Sequence, residues 1–140
     1  VTLFTTVEGG LAACEGMLQW TIDYTTERKV FNGTVAQFQN TRFKLAEMKT
    51  QIEVNRAYVE KCTAKYVRGE LSTVEASTTK LATTELQGKV ADECLQLFGG
   101  YGYMMEYKIA RAYIDARIQR IYGGTSEIMK EIIARSLVGR

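Results

Sequence analysis

A seven-residue apolar repeat runs through the middle of a chain that contains no proline. Phe38, Leu45, Ile52, Val59 and Tyr66 recur at every seventh position, and Thr41, Met48, Asn55 and Cys62 interleave with them at the other seam position. Sustained over about thirty residues, that period fits one long helix of an antiparallel bundle. It predicts a helix over 36–67, at the centre of the domain.

Steps of three and four continue on either side. Val7, Leu11, Cys14, Leu18, Ile22 and Thr25 give a first helix that ends near the Val30–Gly33 turn. Gly69 breaks the long repeat, and Ser72 with Glu75 three residues on forms a capping box that opens a third helix. Leu86, Val90, Cys94 and Leu97 form its apolar stripe. The middle of that helix, Ser77, Thr78, Thr79, Thr83 and Thr84, is only moderately helical by propensity, so packing must hold it. After Gly99–Gly102, Ile109, Tyr113 and Ala116 indicate a shorter fourth helix, and Ile128, Met129, Ile132, Ile133 and Leu137 a final amphipathic one. β alternation is confined to Arg120–Tyr122. The expected fold class is all-α: an up-down four-helix bundle with an additional C-terminal helix and no sheet, with Phe43, Tyr58 and Tyr66 in its core.

Composition excludes several functions. The net charge of +2 arises from 18 basic and 16 acidic side chains interspersed without a long run of one sign, so nothing asks for nucleic acid. No segment reaches the ~18–20 uninterrupted apolar residues of a membrane span, and the N-terminus lacks a signal peptide's basic region and apolar core. A soluble, intracellular protein is expected. Cys14, Cys62 and Cys94 are odd in number and far apart, which argues for packing rather than a disulfide framework or a zinc site. With no histidine, proton abstraction at neutral pH falls to a carboxylate, tyrosine, cysteine or lysine. If further domains normally cover its flanks, the apolar repeat and the 46% hydrophobic content imply apolar surface left uncovered in this stretch alone, and hence a dimer or tetramer.

Three stretches are candidate ligand contacts, each set against a blander structural role. Phe98-Gly99-Gly100-Tyr101-Gly102-Tyr103 follows a helix rather than a strand, so it is no dinucleotide-binding fingerprint. Two explanations stand side by side: a glycine C-cap, or backbone that closely approaches a neighbouring helix or a ligand. Gly123-Gly124-Thr125-Ser126-Glu127 precedes the last helix, with Thr125 as N-cap and Glu127 in the first turn; the paired glycines go beyond what a helix start needs, and free amides there suit an anion. Arg28, by periodicity alone, is a solvated residue at a helix end.

Together with Thr-Glu-Arg-Lys-Val-Phe at 26–31 and Phe-Gln-Asn-Thr-Arg-Phe-Lys-Leu-Ala-Glu-Met at 38–48, these motifs make nearly all of the 140 residues resemble the C-terminal helical domain of the acyl-CoA dehydrogenases, in the branch with Tyr-Gly-Gly-Thr that includes long-chain enzymes. The resemblance implies a flavoenzyme that desaturates the α–β bond of an acyl-CoA thioester, with FAD as cofactor and an electron-transfer acceptor as partner. It puts Arg28 on the FAD pyrophosphate, where a planar guanidinium suits bidentate contact. Phe31 and Gln39 match positions that touch the cofactor. Gln96 and Gly100 match positions against the adenosine diphosphate portion of the partner subunit's FAD, while Thr125 and Glu127 approach the FAD of their own subunit. Tyr122 and Gly124 line the acyl thioester pocket.

The family's catalytic base is a glutamate at one of two places. In this chain one of them is Gly123, and the other falls at about Thr2, with Val1 as its neighbour; neither is acidic. Glu8 is displaced from Thr2 by about 9 Å of helix rise. The resemblance also implies that residues 1–140 form one domain, with the family's N-terminal helical and middle β domains outside it, and that the chain by itself is inactive. A cytoplasmic location, or the mitochondrial matrix in a eukaryote, is expected. Two other readings remain open: a non-catalytic helical oligomerisation module, and a fold-related flavin enzyme such as a nitroalkane oxidase or hydroxylase.

Overall fold

The computed structural model describes residues 2–139, with side chains from residue 6 onward. Five helices carry the chain: α1 (Thr2–Glu27), α2 (Gln39–Val67), α3 (Thr73–Phe98), α4 (Lys108–Ile118) and α5 (Ser126–Val138). The all-α bundle expected from the periodicity is the fold observed. Its core gathers Leu11, Cys14 and Met17 of α1, Met48, Ile52 and Val59 of α2, Val90, Cys94 and Phe98 of α3, and Ile109 and Ala116 of α4. The three cysteines are free and buried.

The long α2 is not the centre. That place belongs to α3, which packs against α1, α2, α4 and α5. Its small hydroxylated residues explain why. Ser77, Thr79, Thr83 and Thr84 are all buried, and short side chains let neighbours approach on several sides at once. Two of them satisfy their hydroxyls within the helix, Thr79 donating to the Glu75 carbonyl at 2.7 Å and Thr84 to that of Lys80 at 2.9 Å. The helix opens on the expected capping box, Ser72 Oγ accepting from the Glu75 N–H at 3.1 Å while Glu75 reaches back to the Ser72 N–H.

Other expectations need correcting at their edges. A small sheet exists: β1 (Lys29–Val30) and β2 (Gly33–Thr34) pair antiparallel, Lys29 opposite Thr34. The chain reverses between two helices there, and α1 ends at Glu27, before the predicted turn. The next three residues, Val35–Gln37, wind as a 3₁₀ turn whose Gln37 side chain accepts from the Thr34 N–H at 3.1 Å, so α2 starts at Gln39 rather than 36. Arg120–Tyr122 is turn, with the N–H groups of Ile121 and Tyr122 both on the Ile118 carbonyl. The heptad stripe is buried only where α1 and α3 cover it: Ile52 and Val59 are enclosed, whereas Phe38 and Tyr66 at its ends are exposed. Phe43, off the seam, is exposed as well. Among the described residues no helix is long and apolar enough to cross a membrane.

Candidate functional site

Most of the candidate ligand residues fall at two of the stretches between helices, each positioned by a helix end. At the first, the C-terminal ends of α1 and α3 lie side by side. Tyr24 stacks on Phe98 with centroids 4.1 Å apart and donates its hydroxyl to the Phe98 carbonyl at 3.2 Å. Burial pushes the Tyr24 phenol above its ordinary pKa despite the Arg28 charge nearby. Tyr107 meets both rings edge-on, and Tyr101 stacks on Tyr107 at 5.1 Å. Over the Tyr101 ring, 5.2 Å from its centroid, lies the Arg28 guanidinium. No carboxylate among the described residues pairs with it.

A cavity of about 570 Å³ opens beside this aromatic platform, and Arg28, Gln96, Gly100 and Tyr101 all line it. The three glycines of the turn have separate reasons. Gly99 ends α3 by adopting φ 62, its N–H on the Gln96 carbonyl. A Cβ on Gly102 would lie 2.4 Å from the Leu95 carbonyl oxygen, so the close approach there is to the chain's own helix. A Cβ on Gly100 would meet nothing within 4 Å; its bare backbone faces the cavity. Phe31 and Gln39 do not line this cavity. Gln39 is exposed at the first residue of α2. Phe31 stands at the tip of the hairpin with φ 49, and is 99% exposed. A bulky side chain in the left-handed region is a rare conformation.

At the second stretch, Tyr122 to Thr125, two consecutive glycines are left-handed, Gly123 at φ 63 and Gly124 at φ 102. A side chain on Gly124 would also collide with Met129, at 2.7 Å. Thr125 caps α5 as expected, its Oγ1 accepting from the Ile128 N–H at 3.3 Å, and Glu127 is exposed in the first turn. Tyr122 donates to the Gln119 side chain at 2.6 Å.

Four residues that hold this loop escaped the sequence reading. Arg120 binds both oxygens of Glu85 at 2.9 Å, and Ser126 donates to the same carboxylate at 2.7 Å. Burial raises the Glu85 pKa, but those hydrogen bonds outweigh it and hold the carboxyl below its ordinary range. Lys80, fully buried on α3, donates to the carbonyls of Gly124 and Gln119. Its one legible signal is its place in the buried succession Ser77, Lys80, Thr84, Gln87, where a charge is out of keeping with its neighbours.

Neither of the two positions expected for a base carries a carboxylate. Gly123 has no side chain, the side chain of Thr2 lies outside the described residues, and so does Val1. Glu8 is turned to α2, where Thr63 donates to it at 3.0 Å and Arg56 pairs with it at 3.5 Å. Among the described residues no cluster of acids or cysteines could hold a metal.

Comparison with known proteins gives one consistent result. The family profile described as acyl-CoA dehydrogenase, C-terminal domain, matches residues 4–138. The mitochondrial long-chain specific acyl-CoA dehydrogenase of Mus musculus is 52% identical over 131 residues, 94% of this chain and 30% of that protein. The crystal structure of an acyl-CoA dehydrogenase from Geobacillus kaustophilus superposes with a TM-score of 0.95 at 40% identity, over 98% of this chain and 36% of that one. A glutaryl-CoA dehydrogenase from Mycobacterium smegmatis, solved in complex with FADH2, superposes at 0.94 with 29% identity, over 99% of this chain and 36% of that one. The chain thus spans about a third of the length of the proteins it matches.

Proposed function

Since the chain belongs to the acyl-CoA dehydrogenase family through its C-terminal domain, we propose that it serves as the C-terminal helical domain of an FAD-dependent enzyme that desaturates the α–β bond of an acyl-CoA. The observation that carries this is the convergence of Arg28, Gln96 and Gly100 on one cavity, with a guanidinium that has no carboxylate partner among the described residues. A free cation, a flat aromatic wall and side-chain-free backbone together suit a diphosphate joined to a planar base. When bound, FAD supplies the two-electron acceptor.

The chain's own residues then bind and orient. Arg28 neutralises the diphosphate, Gln96 and the Gly100 backbone hold the adenosine side, and exposed Phe31 and Gln39 extend the contact beyond the cavity. Tyr122 and Gly124 line the acyl thioester, and Thr125 and Glu127 meet the cofactor at the start of α5. Cofactor grip and thioester loop lie at separate stretches of this one chain, so a dimer or tetramer in which the first serves a partner's cofactor fits the arrangement. The other two domains of the family architecture would supply the ring contacts, and an electron-transfer acceptor would take the electrons. The cytosol, or the mitochondrial matrix in a eukaryote, is the compartment this role implies. One observation favours assembly as a role in its own right: Ile114, Ile118, Ile121, Ile128 and Leu137 of α4, α5 and the turn between them are all exposed.

An NMR titration with ADP tests the proposal. ADP on the order of tens of millimolar is expected to shift the backbone resonances of Arg28, Gln96 and Gly100 in the unmutated chain and to leave Gln96 and Gly100 unmoved in Arg28→Gln, since one charge-assisted contact is worth about 1.5–3 kcal/mol. Equal shifts in both proteins, or shifts confined to other segments, would contradict it.

A further inference from the structure

Behind the Tyr122–Thr125 loop stands a cation that no acid among the described residues neutralises. Lys80 is 1% exposed, and its ammonium donates to the Gly124 carbonyl at 2.5 Å and the Gln119 carbonyl at 3.3 Å. The two acids five residues away on either side of it on α3 are taken: Glu75 by Lys65 and Ser72, Glu85 by Arg120 and Ser126. Desolvation therefore acts on Lys80 unopposed and lowers its pKa. Burying a charge this way is unfavourable, and an apolar side chain of similar length would fill the same space without that penalty.

The carbonyls it binds explain the charge. Gly123 and Gly124 are both left-handed, and consecutive glycines surrender more conformational freedom on ordering than any other residues. Nothing in their side chains can fix the loop. A trans peptide is planar with its C=O and N–H opposed, so a Gly124 carbonyl drawn inward to Lys80 turns the Thr125 N–H outward. That N–H donates to no backbone acceptor among the described residues.

We infer that Lys80 is the positioning residue of the Tyr122–Thr125 loop, its ammonium rather than its bulk setting the orientation of the Gly124–Thr125 peptide. Its consequence for a ligand rests on the proposed acyl-thioester role of the loop; its effect on the loop does not. Lys80→Met keeps the length and removes the ammonium, and amide hydrogen exchange reads the result. In the full chain, exchange across residues 119–126 is expected to rise about tenfold or more, equivalent to about 1.4 kcal/mol, while α1 and α2 exchange as in the unmutated protein. Unchanged exchange over 119–126, or acceleration spread evenly over all helices, would overturn the inference.

Should Lys80→Met fail to fold, the unmutated protein decides. Its Lys80 ammonium must give a solvent-protected ¹⁵N signal coupled across the hydrogen bond to the Gly124 carbonyl carbon. A signal exchanging like those of the exposed lysines overturns the inference. No ligand enters either measurement, so failure here leaves the ADP site standing, and loss of the ADP response leaves the role of Lys80 standing.

Discussion

Gly100 and Gly102 stand two residues apart and answer to different physics. A methyl group at Gly102 would press on the Leu95 carbonyl at 2.4 Å and on the Phe98 Cβ at 3.0 Å, both parts of α3 that cannot give way cheaply. Gly102→Ala is therefore expected to destabilise by about 1–3 kcal/mol, the usual range for overpacking. At Gly100 the same methyl group meets nothing within 4 Å, and Gly100→Ala should stay within about 0.5 kcal/mol of the parent. Urea denaturation of the two variants checks the contrast; equal losses would mean that the turn is not folded against α3 as described. Composition alone could not separate these roles, because three glycines in four positions look alike until the backbone is drawn.

Helix α3 depends on its first turn more than its length suggests, because its hydroxyl-rich middle contributes little intrinsic helicity. Hydrogen bonds from Lys65 and then from Ser72 hold Glu75 at a pKa of about 2, well below its ordinary value. A folded pKa lowered in this way contributes stability above the unfolded value, lost as the pH falls through the carboxylate range toward 2. Ser72→Ala is expected to cost about 1 kcal/mol near pH 7. The difference from the parent should narrow as the solution is acidified, because protonated Glu75 no longer completes the box. Thermal unfolding at neutral and acid pH checks both parts, and a gap that widens at low pH would contradict them. This capping box was legible as Ser72 followed by Glu75. The centrality of α3 was not: a heptad stripe announces α2, whereas buried threonines announce nothing, since only packing distinguishes them from solvated ones. The small hairpin was hidden for a similar reason, its four paired residues being too few to show alternation.

At the scale of the whole molecule, the motifs named candidate ligand residues, and three of them, Arg28, Gln96 and Gly100, line one cavity. What holds the last loop was hidden, because Lys80 and Glu85 reach it from a helix some forty residues earlier, at separations of 44 and 41 residues. On the proposed role, the chain would contact the diphosphate end of a flavin and one wall of a thioester pocket; position 123 is glycine, and among the described residues no carboxylate stands within 4 Å of where its Cβ would be. Two charge-assisted contacts of about 1.5–3 kcal/mol each, set against an association cost of at least ~4 kcal/mol, leave at most about 2 kcal/mol, far short of the ~8 kcal/mol that micromolar binding needs. The most direct measurement is to mix the purified 140-residue chain with FAD, remove the excess, and follow the flavin absorbance anaerobically on adding acyl-CoA substrates. The expected result is a protein that retains no stoichiometric flavin and gives no bleaching. A stoichiometrically yellow protein that bleaches on adding an acyl-CoA would contradict this and point to a base on the chain that has gone unrecognised.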